Sequence, residues 1–287
     1  MNSHPHHHTS VVQRRRGLHR RAKQLARRVL PFVAALFLAS PVAGPLLKSA
    51  AHSAAPRVAT AQQVVPAPIS SFDGAARQLY QRLGAEQEGL RYEVFQKALT
   101  GYLNLQQAGK LGGSQSRLAV VDFDLPSIEK RLWVFDLATH QLLFHTLVAH
   151  GHNSGENEAT HFSNTDESNM SSLGFYVTGT EYEGKHGQSL RLTGLDEGFN
   201  TNAAARSVVM HGADYVSEEF IRQNGRLGRS LGCPALPLAQ YAQIISALHD
   251  GSCLFINRTG AGYTSKFLNV DTAQQALPSS GLENSQG

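Results

Sequence analysis

Two hydrophobic periodicities divide this chain. Over residues 91–107, Phe95, Leu99, Tyr102 and Leu103 recur at i, i+4, i+7 and i+8, which predicts a helix with one apolar stripe. Residues 72–83 predict a shorter helix before it, and "AGKLGG" then breaks the pattern. From Arg117 the texture changes to short β-rich runs: "RLAVVDFD", "RLWVFDL", "QLLFHTLVAH", "GFYVTGT", "SLRLTGL", "RSVVMHG" and "SCLFINR". Most are separated by turn-forming Gly, Asn, Asp or Ser, so they predict a mainly β core of sandwich or barrel type. Two helices interrupt it, at about 214–223 and 237–249. In the second, Leu238, Tyr241, Ile244, Ile245 and Leu248 share a face, Pro237 suits the first turn and Gly251 the exit. The organisation read from these patterns is a helical segment at 72–110, a β domain at 115–260 and a disordered tail at 270–287.

The start of the chain has a different character. Residues 1–60 carry ten Lys and Arg and no Asp or Glu, and the apolar run "VLPFVAALFLASPVAGPLL" follows at 29–47. A basic region followed by a short apolar one is the physical signature of an export signal. Residues 1–61 are therefore expected to be a signal peptide or membrane anchor with a linker, and the protein to work in the periplasm or cell envelope. Pro31, Pro41 and Pro45 weaken a spanning helix, which favours removal of the signal over an anchor that tethers the chain to the inner membrane. The overall charge of +4 sits entirely in this segment: beyond it, 16 basic residues face 22 acidic ones, a net of −6. An acidic folded part argues against nucleic acid as a partner, because phosphate contacts need positive charge on the folded domain.

The two cysteines, Cys233 and Cys253, cannot build a disulfide framework. Cys253 lies in a run that reads as a buried strand. Cys233 lies in "GRLGRSLGCPALP", a turn-like setting just ahead of an apolar pattern. A cysteine attacks acyl carbon as thiolate, so it needs a base or positive surroundings. His211 ends the strand "RSVVMH", where alternation sends Val209 and His211 to the face opposite Val208 and Met210. Gly232 removes a side chain beside Cys233, and the N–H groups of Gly232 and Cys233 are candidates for an oxyanion hole. Arg229, or Arg226, is a candidate for a substrate carboxylate, with an exposed structural arginine as the plainer reading, and Ser230 is a candidate either for a site hydrogen bond or for closing the turn. Against this stand two plainer readings, Cys233 as a small core residue and Cys233 paired with Cys253. The polar loop at 150–172 is long for a strand connection, and covering a cleft or forming a surface insertion fits it equally.

The stretch "MHGADYVSEEFIRQNGRLGRSLGCPALP" resembles the signature of the L,D-transpeptidase (YkuD-type) catalytic domain, in which a His-Gly pair is followed by Ser/Thr-x-Gly-Cys. The match is His211-Gly212, then Ser230-Leu231-Gly232-Cys233. The pieces "VAHGHNSG", "FSN", "SSLGFY", "HGADYV" and "GRSLGCPA" are together similar to an exported bacterial branch of that family, over about 117–258. There are departures: Leu231 stands where a second histidine is common, and Ala235 where Asn or Arg is common. The resemblance implies a β-sandwich-like catalytic domain without a cofactor or metal, in which His211 activates Cys233 and Gly212, Ser230 and Arg229 stand near the substrate. It implies action on peptidoglycan stem peptides: cleavage between an L-centred diamino acid and D-Ala, and transfer to an amine as a 3-3 crosslink. Hydrolysis at the same site would make the protein an L,D-carboxypeptidase. Two other classes stay open. His150, His152 and His161 have an H-x-H-x8-H spacing that a zinc-dependent wall peptidase could use, although no HExxH is present. A non-catalytic wall-binding protein on the same fold is the third.

Overall fold

A computed structural model describes residues 71–112 and 116–276. The chain opens with two helices, α1 (Ser71–Arg82) and α2 (Tyr92–Gln107), then runs through strands β1 (Arg117–Asp122), β2 (Leu132–Asp136) and β3 (Gln141–Thr146). After a long loop come β4 (Gly174–Gly184), β5 (Gly187–Gly194) and β6 (Val209–Ala213), then helix α3 (Glu218–Asn224) and a short β7 (Ala235–Pro237). Helix α4 (Tyr241–Leu248), β8 (Cys253–Asn257) and helix α5 (Val270–Gln275) complete it.

The eight strands form one sheet in the order β3-β2-β1-β8-β4-β5-β6-β7. Ala149, just past β3, bridges to Ala235 of β7, so the two edges approach and the sheet curls into a near-barrel. The mainly β core with flanking helices that the strand pattern predicts is therefore realised as a single curled sheet. Neighbours pair antiparallel except β1 with β8 and β6 with β7, which are parallel.

Both faces of the central strands are covered, which is why they read as continuous apolar runs. Leu118, Val120, Trp133, Phe135, Phe175 and Phe255 pack outward beneath α1 and α2. Ala119, Val121, Val134, Tyr176, Leu190, Met210 and Leu254 face the interior, where Ile244, Ile245 and Leu248 of α4 close it. Helix α2 lies so close to β4 that a Cβ on Gly101 would fall 1.9 Å from the Phe175 ring. Asn104 donates to the carbonyls of Phe267 and Asn269, at 2.7 and 2.9 Å, and so ties α2 to the segment before α5.

Three sequence readings are corrected. The helix expected at 214–223 begins at Glu218, because the Ser217 hydroxyl accepts the Phe220 N–H at 3.1 Å and caps it there. The helix expected from 237 begins at Tyr241. Pro237 instead ends β7 opposite Ala213, where an edge strand tolerates the missing N–H, and Leu238 stands 54% exposed, off the buried stripe. The tail expected to be disordered from 270 starts with α5, whose cap is the Asn269 side chain accepting the Thr272 N–H; residues 277–287 lie outside the described residues. So do the export signal, or anchor, and linker expected at 1–61. Among the described residues no helix is long and apolar enough to cross a membrane.

Candidate functional site

Cys233 is held by a turn that its own neighbours close. The Ser230 hydroxyl accepts the Gly232 N–H at 3.1 Å and donates to the Cys233 carbonyl at 2.6 Å. Gly232 has φ +122°, and a Cβ there would lie 2.8 Å from the Met170 carbonyl oxygen, so only glycine passes. The turn delivers Cys233 to the start of β6: its half-buried Sγ accepts the Val209 N–H at 3.4 Å and lies 3.8 Å from the Ser207 carbonyl. This placement follows from the parallel pairing of β6 and β7, which sets Ala235 beside His211 and thus Cys233 beside Val209. Burial pushes the thiol above its ordinary pKa, opposed by the Val209 N–H and by the charges of Arg206 and Lys185.

His211 sits on β6 between Ser189 of β5 and Ala235 of β7, 4% exposed. Its Nδ1 lies 2.9 Å from the Gly212 carbonyl, which accepts only, so Nδ1 carries the proton and Nε2 keeps its lone pair. Burial holds the imidazole below its ordinary pKa against the Gly212 carbonyl, and the nearby charges of His186 and Lys185 act in the same direction as burial. Neutral imidazole is therefore the resting form at neutral pH. Val209 and His211 lie two residues apart on β6, about 7 Å along the strand, so the thiol that meets the Val209 N–H and the His211 imidazole belong to one stretch of this strand. The His186 ring lies on the His211 ring, centroids 4.5 Å apart and planes 22° from parallel.

The loop at 150–172 backs this turn. The Ser230 N–H donates to the His150 carbonyl at 3.0 Å, and the His152 N–H to the Ser230 carbonyl at 2.7 Å. The Ser171 hydroxyl accepts the Gly151 N–H at 3.0 Å and donates to the Gly232 carbonyl at 3.3 Å. Arg206 fastens the far side, with Nη1 on the Ser163 carbonyl and Ser172 hydroxyl, and Nη2 on the Ser168 hydroxyl and Met170 carbonyl. His150 beneath the loop is fully buried; its Nδ1 accepts from Arg131 at 2.8 Å and its Nε2 donates to the Gly155 carbonyl at 3.3 Å. Burial and the Arg131 charge lower the His150 pKa to about 4.

The unfolded chain protonates His150 near its ordinary pKa, whereas the folded chain resists down to about 4, so stability is lost as pH falls between the two. The loss is up to about 3 kcal/mol at 1.36 kcal/mol per pKa unit. Urea denaturation at pH 7 and pH 4.5 is expected to show a steeper loss for the wild type than for His150→Gln.

Several sequence candidates occupy other roles. Arg229 donates to the His152 and Gly155 carbonyls and pairs with Glu156 at 2.8 Å, and Arg226 pairs with the same carboxylate at 2.9 Å. Both guanidinium groups are thus paired with the one carboxylate of Glu156. The Gly232 N–H points at Ser230, so it is withdrawn from the oxyanion hole, and the Cys233 N–H remains, beside its own thiol. Ser230 closes the turn. A Cβ on Gly212 would lie 2.6 Å from the Tyr241 ring, which makes Gly212 a packing position. Cys253 is buried on β8 and both cysteines are free, so the pairing alternative falls. Both ring nitrogens of His150 are engaged, and among the described residues no three His, Cys, Asp or Glu are grouped to hold a metal ion. A cavity of about 440 Å³ lies at the opposite ends of β6 and β7, lined by Ala213, Pro237 and Gln240, away from the thiol.

Sequence reasoning passed over Arg206, Lys185 and His186. Arg206 stands only five residues before His211, but its partners lie about forty residues away. Lys185 and His186 form the two-residue tip of the β4–β5 hairpin and reach the site only because β5 pairs with β6.

A model of the L,D-transpeptidase catalytic domain matches residues 86–257. Among solved structures, an L,D-transpeptidase from Mycobacterium smegmatis is 12% identical, with 49% of this chain and 58% of that one covered and a TM-score of 0.31. An L,D-transpeptidase in complex with imipenem is 12% identical over 48% of this chain and 57% of that one, TM-score 0.30. One from Stackebrandtia nassauensis is 14% identical over 66% and 78%, TM-score 0.30. The chain thus spans a little over half the length of the first two. No curated protein matches it. With more than half of its residues matched by that domain, the chain belongs to the L,D-transpeptidase catalytic-domain family.

Proposed function

We propose that the protein is an exported cysteine acyltransferase that acts on peptidoglycan stem tetrapeptides in the periplasm or cell envelope. The observation that carries this reading is the thiol fixed on the Val209 N–H, two residues along β6 from His211, whose Nδ1 is held on the Gly212 carbonyl so that Nε2 carries the lone pair. Nε2 takes the Cys233 proton as sulfur attacks the carbonyl of the L-centred diamino acid. The oxyanion forms beside the Cys233 N–H, and Arg206 and Lys185 supply positive charge to the thiolate. As the tetrahedral intermediate collapses, the C–N bond to D-Ala breaks and its amine leaves with the proton held on Nε2. The acceptor amine then gives a proton to Nε2 and attacks the thioester, and the thiolate departs and is reprotonated. The product is a 3-3 crosslink. If water is the acceptor, the same steps yield a tripeptide, and the protein is an L,D-carboxypeptidase. The basic start and apolar run of the chain support the extracytoplasmic placement.

The test is product analysis with a purified disaccharide tetrapeptide. Free D-Ala with 3-3 dimers is expected, and D-Ala with tripeptide alone would assign the carboxypeptidase branch. Unchanged tetrapeptide would overturn the reading.

A further inference from the structure

A tetrapeptide donor ends in a free carboxylate on its leaving residue, one residue beyond the bond that breaks. A site that selects such a donor needs a cation with no other partner within that reach, at most about 3.6 Å per residue plus its own side chain. The guanidinium groups around Cys233 do not qualify. Arg226 and Arg229 share Glu156, and both terminal nitrogens of Arg206 are bound by the 163–172 segment.

Lys185 does qualify. It is exposed at the tip of the β4–β5 hairpin and takes part in none of the ion pairs found among the described residues. The tip is anchored over the base: His186, its other residue, stacks on His211 at 4.5 Å, and Ser189, two residues beyond the turn, pairs with His211 across the sheet. Gly187 takes φ +77° to close the turn, and the Ser189 hydroxyl donates to its carbonyl at 3.0 Å. The His186–His211 stack places the tip beside the imidazole, and the Lys185 charge accordingly acts to lower the pKa of both His211 and Cys233. A lysine suits this place, being a compact charge on a flexible stem with rotatable donors.

We propose that Lys185 binds the C-terminal carboxylate of the donor peptide, and that His186, stacked on His211, holds the hairpin tip in position for it. This rests on the acyl-transfer reading above. It makes Lys185 a specificity residue: it favours donors with a free C-terminus over capped ones.

The test compares a synthetic stem tetrapeptide with its C-terminal amide, measuring release of D-alanine and D-alaninamide by the purified chain. The wild type is expected to prefer the acid in kcat/KM by about tenfold, as a charge-assisted contact at an exposed site allows. Lys185→Ala should bring the ratio close to one, Lys185→Arg should keep most of it, and Lys97→Ala, on exposed α2 surface, should leave it unchanged. An unchanged ratio in Lys185→Ala, or a wild type without preference, would overturn the assignment while leaving acyl transfer intact. Cleavage of neither peptide by the wild type would overturn the acyl-transfer reading itself, and this inference with it.

Discussion

Cys233→Ser is expected to lower D-Ala release by at least about a thousandfold while preserving the fold. The change replaces one atom at a half-buried position, and a hydroxyl can still accept the Val209 N–H, so the turn keeps its hydrogen bonds. What it loses is acidity. Burial already pushes the thiol above its ordinary pKa, and a serine hydroxyl lies many units higher, beyond what a neutral imidazole can deprotonate usefully. Cys253→Ala provides the contrast, since that residue is buried on β8 in the core and its loss should cost stability without touching the rate. Circular dichroism and D-Ala release on the two variants separate these effects. Full activity in Cys233→Ser would remove the nucleophile from the account.

His211→Gln is expected to slow acylation by about 10²- to 10⁴-fold, the range that a positioned general base contributes. Glutamine can still meet the Gly212 carbonyl but offers no basic nitrogen in place of Nε2. The pH profile gives a second readout. Because burial lowers the His211 pKa, the base stays neutral below the usual imidazole range, and wild-type activity should fall only as pH drops through that lowered value. In His211→Gln this acid limb should vanish, with the residual rate climbing towards alkaline pH as hydroxide ionises a thiol whose own pKa is raised. A break in the His211→Gln profile at the same acid pH as in the wild type would assign the base elsewhere.

The apolar stripe of α2 and the runs of β1, β2, β4, β5, β6 and β8 were legible because burial imposes a period, and both-face burial imposes a continuous run. Boundaries were less so where one side chain overrides the pattern, as Ser217 does in delaying α3 and Pro237 in ending β7 rather than starting α4. β7 itself is three residues long, too short to carry a period. At the site, Cys233 and His211 stood out because each sits in a local setting that explains it, a glycine turn and a strand end. The charges around them did not. Arg229 read as free because Glu156 lies 73 positions away in sequence, and the contact exists only once the 150–172 loop has folded against the turn. His186 and Lys185 became neighbours of His211 through the β5–β6 register, which no window along the chain contains.

Intact mass spectrometry of the purified chain with imipenem tests the central claim most directly, since a strained acyl donor traps the nucleophile whatever the natural acceptor is. One covalent adduct is expected on the wild type and on Cys253→Ala, and none on Cys233→Ala. An adduct that survives in Cys233→Ala, or a reduced and folded wild type that forms none, would contradict the assignment of Cys233 as the acyl carrier.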